Sequence, residues 1–318
     1  MTFTASESST DDLLRQVFEV LIASQDRPTP TKGSNREIRG AMLELTNPRA
    51  RLSRSETRGR LFSCLAEFCW YLSGSNRVEP IEFYLSHYRE SAESDGTVHG
   101  AYGPRLLSFD GMDQVRYVID TLRNRPDSRQ AVIQIFDHED VRQRYEHVPC
   151  TCMLQYFVRS SALDAVTFMR SNDAYIGLPH DLFSFTLLQE AIARSLGVEV
   201  GRYIHMVGSL HLYERHVENA QSFLDEGWQS NAAMPPMPAG DPWTSISKLI
   251  ATEKALREGA DPAQVEWDES PYWQDLAMLL AMFALNVRGR ASETPQLRAK
   301  LSSAVYDVFV NDRYGLPE

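Results

Sequence analysis

Hydrophobic residues recur along this chain with two different periods, and their alternation predicts a mixture of helices and strands. Leu13, Leu14, Val17, Phe18 and Leu21 share one face of a 3.6-residue period, which predicts a helix starting near Asp11 after a frayed polar tail over residues 1–10. The helix stops in QDRPTPTKGSN, where two Pro and a Gly mark an irregular loop. Lys32 in that loop, and Arg36 just beyond it, could hold an anion. Residues 38–52 read as short strands. RLFSCLAEFCWYLSG (60–74) reads as a helix apolar on nearly every side, and therefore deeply buried.

Further helices are expected at about 80–90 and 111–123, and a strand at 130–136. Residues 151–170 give two strands joined by a polar turn. Beyond them the pattern predicts a long helix from about Asp181 to Leu196, a strand at 201–208 and a helix through 212–224. From Asn231 the character changes, and the connector AAMPPMPAGDPW leads into three helical patterns near 242–257, 271–287 and 294–310. The chain thus divides into a flexible tail (1–10), a main domain (11–230) and a helical C-terminal extension (231–318) expected to pack on that same domain.

Composition narrows the classes. A chain of 318 residues, 43% hydrophobic, can bury a core without staples, and four Cys are too few for a disulfide scaffold. The net charge of −11 disfavours a nucleic-acid backbone as partner. Only four of the 32 basic residues are Lys; the rest are Arg, whose planar fork suits phosphate, so local anion recognition stays open. No apolar run approaches the ~20 residues needed to cross a bilayer, and the N-terminus lacks a basic start followed by an apolar stretch, so a cytoplasmic protein with no membrane partner is expected.

Several residues then stand out. Glu67 is the only charged side chain between Leu61 and Leu72, so it is either a buried acid with a raised pKa or the one exposed stripe of its helix. Cys150 follows Pro149 at a strand's start, with Cys152 two residues on. Free Cys is more often a small buried hydrophobe than a nucleophile, and this pair lacks the spacings of a zinc site, so no metal is expected. Arg170, Ser171, Asn172 and Asp173 end a strand before Gly177 and Pro179, where a ligand could sit. His211 and Tyr213, two apart on an extended run, could present two hydrogen-bonding groups to one side.

In their order, these segments resemble the thymidylate synthase family. LAEFCWYLSGSN resembles the family's helix with its catalytic glutamate, GAYGPR its Tyr-Gly motif, PDSRQAVI its phosphate loop and VPCTCMLQYF its nucleophile strand; MRSNDAYIGLPHDLFSF and GSLHLYERH follow with the family's spacing. The resemblance covers about residues 11–225. It implies an α+β fold with a mixed β-sheet at a homodimer interface, and 5,10-methylenetetrahydrofolate as co-substrate. Carried over, it implies that Cys150 adds to C6 of a pyrimidine nucleotide, that Glu67 positions water and relays protons, and that Tyr102 helps remove the C5 proton. Arg170, Ser171 and, from across the dimer, Arg129 would bind the 5′-phosphate together with a loop cation, Arg36 before Lys32. His211 and Tyr213 would hold the sugar 3′-hydroxyl, and Asp173 would contact the folate or the ordered polar network beside it.

The departures sharpen this. Asp181 stands where uracil-using members have Asn, whose amide both donates to O4 and accepts from N3–H. A carboxylate instead suits the amino edge of cytosine, and the family's cytidylate hydroxymethylase members carry this Asp, so the resemblance is closest to that branch. A capping role for Asp181 at the start of its helix is the plain alternative. Thr151, Met169, His180, Ser209 and Gln130 also replace the family's usual residues, and DVFVNDRYGLPE shows no counterpart of its apolar closing tail. The expected activity is hydroxymethylation of CMP or dCMP. A cytidylate C5-methyltransferase and a non-catalytic nucleotide-binding relative are the alternatives.

Overall fold

The computed structural model describes residues 3–30, 33–55, 60–229 and 231–314; Lys32 and residues 315–318 lie outside the described residues. Six strands form one mixed sheet: β1 (Phe3–Glu7), β2 (Asn35–Leu45), β3 (Val132–Gln134), β4 (Thr151–Arg159), β5 (Ala162–Asp173) and β6 (Glu199–Tyr213), in the spatial order β1-β2-β6-β5-β4-β3. The β1–β2 and β5–β6 pairs are parallel and the others antiparallel. Ser160 and Ser161, both at positive φ, close the β4–β5 hairpin in the backbone sense that matches strand twist.

Helices cover one face of this sheet. They are α1 (Thr10–Ala23), α2 (Leu61–Leu72), α3 (Glu79–Glu82), α4 (Tyr102–Leu107), α5 (Gln114–Asn124), α6 (Gly177–Leu196), α7 (Val217–Asp225), α8 (Trp243–Glu258), α9 (Pro271–Val287), α10 (Thr294–Arg298) and α11 (Asp307–Tyr314). The core lies between the covered face and α1, α2 and α6, with Leu43, Ala165, Tyr203 and Val207 buried from the sheet and Leu14, Phe18, Leu65 and Leu188 from the helices. Every residue of α2 is buried because α8 and α9 close over it from the side away from α6. On the other face, Met42, Met153, Val166, Phe168, Ile204 and Met206 are only half-buried and stand in register across β2, β6, β5 and β4.

The sheet kinks at one level. Gly40 of β2 has φ +73°, and across from it a Cβ on Gly208 would meet the Arg170 carbonyl oxygen at 2.9 Å, so glycine is required at both places. Up to this level residues 165, 167 and 169 and residues 203, 205 and 207 face the core; beyond it Asn172, Ala174, Leu210 and Leu212 are buried instead.

Five expectations are corrected here. The N-terminal tail contains a strand, β1, whose single well-buried residue, Ala5, leaves no readable alternation. The expected 212–224 helix starts only at Val217, because β6 runs on through the kink to Tyr213, and the parity change at Gly208 makes its Leu210 and Leu212 look out of phase with a strand. The 80–90 helix is a four-residue α3 followed by a 3-10 turn, and the 294–310 pattern is broken into α10 and α11. Finally, α6 starts at Gly177, four residues before Asp181, which removes the capping role for that side chain.

Candidate active site

Cys150 sits just before β4, half-buried, where the β4–β5 pairing is irregular between Thr151 and Met153. Arg170 folds its guanidinium back over this turn: Nε donates to the Pro149 carbonyl at 2.8 Å, and Nη2 to the Val148 carbonyl at 3.0 Å and to the Cys150 sulfur at 3.8 Å. A guanidinium on the sulfur interacts most strongly when the sulfur is a thiolate, the form that attacks electrophilic carbon. Burial pushes the neighbouring Cys152 thiol up, and Cys64 and Cys69 are buried, which leaves Cys150 as the candidate nucleophile.

Two helices aim carboxyl groups at the same region. Glu67 of α2 is 3% exposed, which rules out the exposed-stripe reading. Burial pushes it up to about 7, against the opposing effect of hydrogen bonds from Tyr88 and Tyr71. Its second oxygen, Oε2, is buried with no partner among the described residues. From α6, Asp181 Oδ2 accepts from Asn172 Nδ2 at 2.8 Å. Burial first, and the nearby Glu67 second, push Asp181 well above the usual carboxylate range. These surroundings disfavour the carboxylate form of Asp181, where the sequence suggests an ionised acceptor. Beside it His180 ties the helices together, with Nδ1 against the Ile176 carbonyl at 2.9 Å and Nε2 3.0 Å from the Ser63 hydroxyl.

Tyr102, on α4, links the thiol side to the acid side. Its hydroxyl accepts from Thr151 N at 3.2 Å and Thr151 Oγ1 at 3.0 Å, so the residue next to Cys150 holds the phenol. Burial pushes Tyr102 well up, and the charges of Asp181 and Cys150 push it the same way, which puts all three within electrostatic reach. The Tyr213 hydroxyl, raised first by burial, likewise feels Asp173 and Cys150. His211 meets the Tyr213 ring edge-on at 5.0 Å, and the Arg215 guanidinium lies 4.3 Å over that ring. Cys150, Arg170, Tyr102, Glu67, Asp181, Asp173, His211 and Tyr213 thus gather at one end of the sheet.

Others fall elsewhere or carry a second role. Asp173 Oδ1 accepts from the Tyr175 and Ile176 amides at 2.8 and 3.1 Å, so it also shapes the turn into α6. Ser171 is half-buried and level with Ser209 on β6. Arg36 pairs in register with Leu212, on the sheet face opposite His211 and Tyr213, and its guanidinium is held by the Ile22 carbonyl and Glu214. Arg129 is exposed in the loop before the edge strand β3, away from Cys150. Sequence reasoning passed over Arg27, in the loop between α1 and β2, which shares Glu214 with Arg36 at 3.3 Å and is 39% exposed. It also passed over Tyr71, Tyr88 and His205, and named Asn172 only as part of a strand end where a ligand could sit. A His inside an apolar strand was the available signal for His205.

A nucleophilic thiol held by an arginine, two buried acids and an aromatic hydroxyl can add to an electron-poor ring and move protons on its far edge. Among the described residues, no three His, Cys, Asp or Glu side chains gather as metal ligands, and no helix is long and apolar enough to cross a membrane. Compared with known families, residues 11–240 match the one described as thymidylate synthase.

Proposed function

Because the chain belongs to the thymidylate synthase family, and so is a folate-dependent one-carbon transferase acting at C5 of a pyrimidine nucleotide, we propose that it is a cytidylate 5-hydroxymethylase. The observation that carries this reading is Asp181, a buried acid whose Oδ2 is already an acceptor for Asn172. The amide on Oδ2 favours the acid's proton on Oδ1. Such a group offers one accepting oxygen and one hydroxyl, and the cytosine edge offers an N4 amino donor and the N3 acceptor. Uracil presents the opposite order, O4 acceptor and N3–H donor.

Addition of the Cys150 sulfur to C6 shifts the C5–C6 π pair toward C4 and the C4–N3 π pair onto N3, which takes the proton from Asp181. C5 becomes nucleophilic in that step. Bound 5,10-methylenetetrahydrofolate would supply a carbon at the formaldehyde oxidation level. The unpartnered, buried Oε2 of Glu67 fits a site whose hydrogen bonding is completed by a bound co-substrate or an ordered water, and Asp173 is the residue to hold the folate. Tyr102, its phenol raised and held by Thr151, orders water for loss of the C5 proton rather than acting as a free base. Once the carbon stands as an exocyclic methylene on the base, Glu67 directs water onto it and the thiolate is expelled.

For the nucleotide's other end, Arg170 and Ser171 would meet the phosphate, and His211 and Tyr213 the 3′-hydroxyl of CMP or dCMP. The loop cation would be Arg36 or the more exposed Arg27; each guanidinium pairs with Glu214 and with a backbone carbonyl, of Ile22 and Ser24 respectively. Family members are typically dimers, and the half-buried apolar face with Met42, Met153, Phe168 and Met206 supports a second copy there. Arg129 of the partner subunit would then complete the phosphate site. Mixing inactive Cys150→Ser with an Arg129→Ala variant should restore activity, because the mixed dimer has one intact site. Recovery no greater than the sum of the two variants alone would mean that each subunit builds its site unaided.

The activity itself is read by incubating the protein with methylenetetrahydrofolate and each of CMP, dCMP, UMP and dUMP. A cytidylate product heavier by one formaldehyde unit, with tetrahydrofolate released, is the expected result. A methyl gain with dihydrofolate would make the protein a cytidylate methyltransferase, and saturable binding without product a non-catalytic relative.

A further inference from the structure

Asp181 is one end of a buried polar chain that leads away from the reacting groups. Asn172 Nδ2 donates to Asp181 Oδ2 at 2.8 Å, and Asn172 Oδ1 lies 2.9 Å from His205 Nε2. On its other side His205 Nδ1 lies 2.9 Å from the Tyr203 hydroxyl, which is also 2.9 Å from Thr167 Oγ1. All five residues are buried, and His205 and Thr167 have no measurable exposure. The kink at Gly208 makes this contact possible, because only beyond it does β5 turn Asn172 inward against a histidine that faces the core from before it. None of the steps proposed for the reaction uses His205.

The hydrogen positions along the chain follow from the heavy atoms. An amide that gives its NH2 to a carboxyl group must present its carbonyl to the next partner, so His205 Nε2 must carry a hydrogen. Burial pushes His205 down to about 3, so the ring is neutral. With its hydrogen on Nε2, Nδ1 is bare, and the Tyr203 hydroxyl must turn its one hydrogen from Thr167 Oγ1 to Nδ1. A neutral ring with its hydrogen on Nε2 is a fixed donor. It cannot accept from Asn172, and so it forbids the amide from turning over.

We propose that His205 is a positioning residue for base selection: it holds the Asn172 amide with its NH2 toward Asp181, keeping Oδ2 an acceptor and confining the carboxyl hydrogen to Oδ1. This rests on the reading of Asp181 as the group that meets the base. Without the histidine the amide can rotate and turn its carbonyl to Asp181, drawing the acid's hydrogen onto Oδ2. The order of donor and acceptor offered to the ring is then no longer fixed, and the protein loses discrimination between cytosine and uracil rather than activity in general.

The test is the ratio of kcat/KM for a cytidylate over the matching uridylate in the whole protein and two variants. His205→Phe should lower this ratio by about tenfold or more, the cost of leaving a buried amide free to turn. His205→Gln, whose terminal NH2 can reach Asn172 Oδ1 as Nε2 does, should restore most of it. An unchanged ratio in the Phe variant, or a Gln variant as unselective as the Phe variant, overturns the positioning role. A wild-type ratio near one instead sinks the reading of Asp181 itself, and is seen before any variant is made. Because a buried His→Phe change can prevent folding, the nitrogen-15 spectrum of the wild-type ring gives a second measurement. Nε2 protonated and Nδ1 bare across about pH 6 to 8 is required; a hydrogen on Nδ1, or a charged ring, overturns the proposal.

Discussion

Asp181→Asn should turn a cytosine-selective protein into one that prefers uracil nucleotides, changing the ratio of kcat/KM between the two bases by ~10³-fold or more. The size follows from the burial of the group. Asp181 is only 7% exposed, which leaves little room for solvent to repair a mismatch, so a ring that presents the wrong edge leaves two buried polar groups unsatisfied at once. The amide cannot hand a proton to N3, so addition of the Cys150 thiolate to cytosine would build charge on N3 with nothing to neutralise it. Uracil needs no such proton, and an amide can both donate to O4 and accept from N3–H. Asn172 can still donate to the carbonyl oxygen of the new side chain, so the packing of α6 on β5 survives. Kinetics with dCMP and dUMP, or with CMP and UMP, decide it. An unchanged preference would detach residue 181 from base recognition and remove the ground for placing the protein on cytosine.

How far these features could be read beforehand depended on whether their cause was local. The α2 helix, the β4–β5 hairpin and the long α6 were legible because each carries its own apolar period or turn. The edge strand β1 was not, because its partner β2 is more than 30 residues away and supplies all of its order. The end of β6 was misjudged for a related reason: a kink at Gly208, fixed by the approach of the Arg170 carbonyl, swaps which residues are buried and erases the alternation. Within the site, residue types and spacing pointed to Cys150, Glu67 and Arg170. They could not give the raised pKa of Asp181, which depends on its burial and then on the closeness of Glu67 on another helix, nor the fact that Arg36 is held by Ile22 and Glu214. The Asn172–His205 contact joins two strands across the kink, and no single segment carries its signature.

Glu67→Gln should abolish most turnover and yet give a more stable protein at alkaline pH. Loss of a positioned acid–base group costs about 10²–10⁴-fold in rate, and Gln can still accept from Tyr88, so the nucleotide should still bind. The stability gain has a definite sign. Burial raises Glu67 from an ordinary 4.5 to about 7, so the folded state holds a proton that the unfolded chain has already lost between those values. Stability therefore falls as pH rises from about 4.5 to 7 and stays lowered above it, by on the order of 3 kcal/mol for this group. The raised Asp181 acts in the same direction. Replacing Glu67 by a neutral isostere removes its share, so urea unfolding at pH 8 should show the variant more stable than wild type, while at pH 4 the two should nearly coincide. The pH dependence of kcat near neutrality should flatten in parallel. A variant no more stable at pH 8 than wild type would mean that Glu67 titrates as an ordinary carboxyl, and a group that does not change its protonation near neutrality could not relay protons to and from the ring.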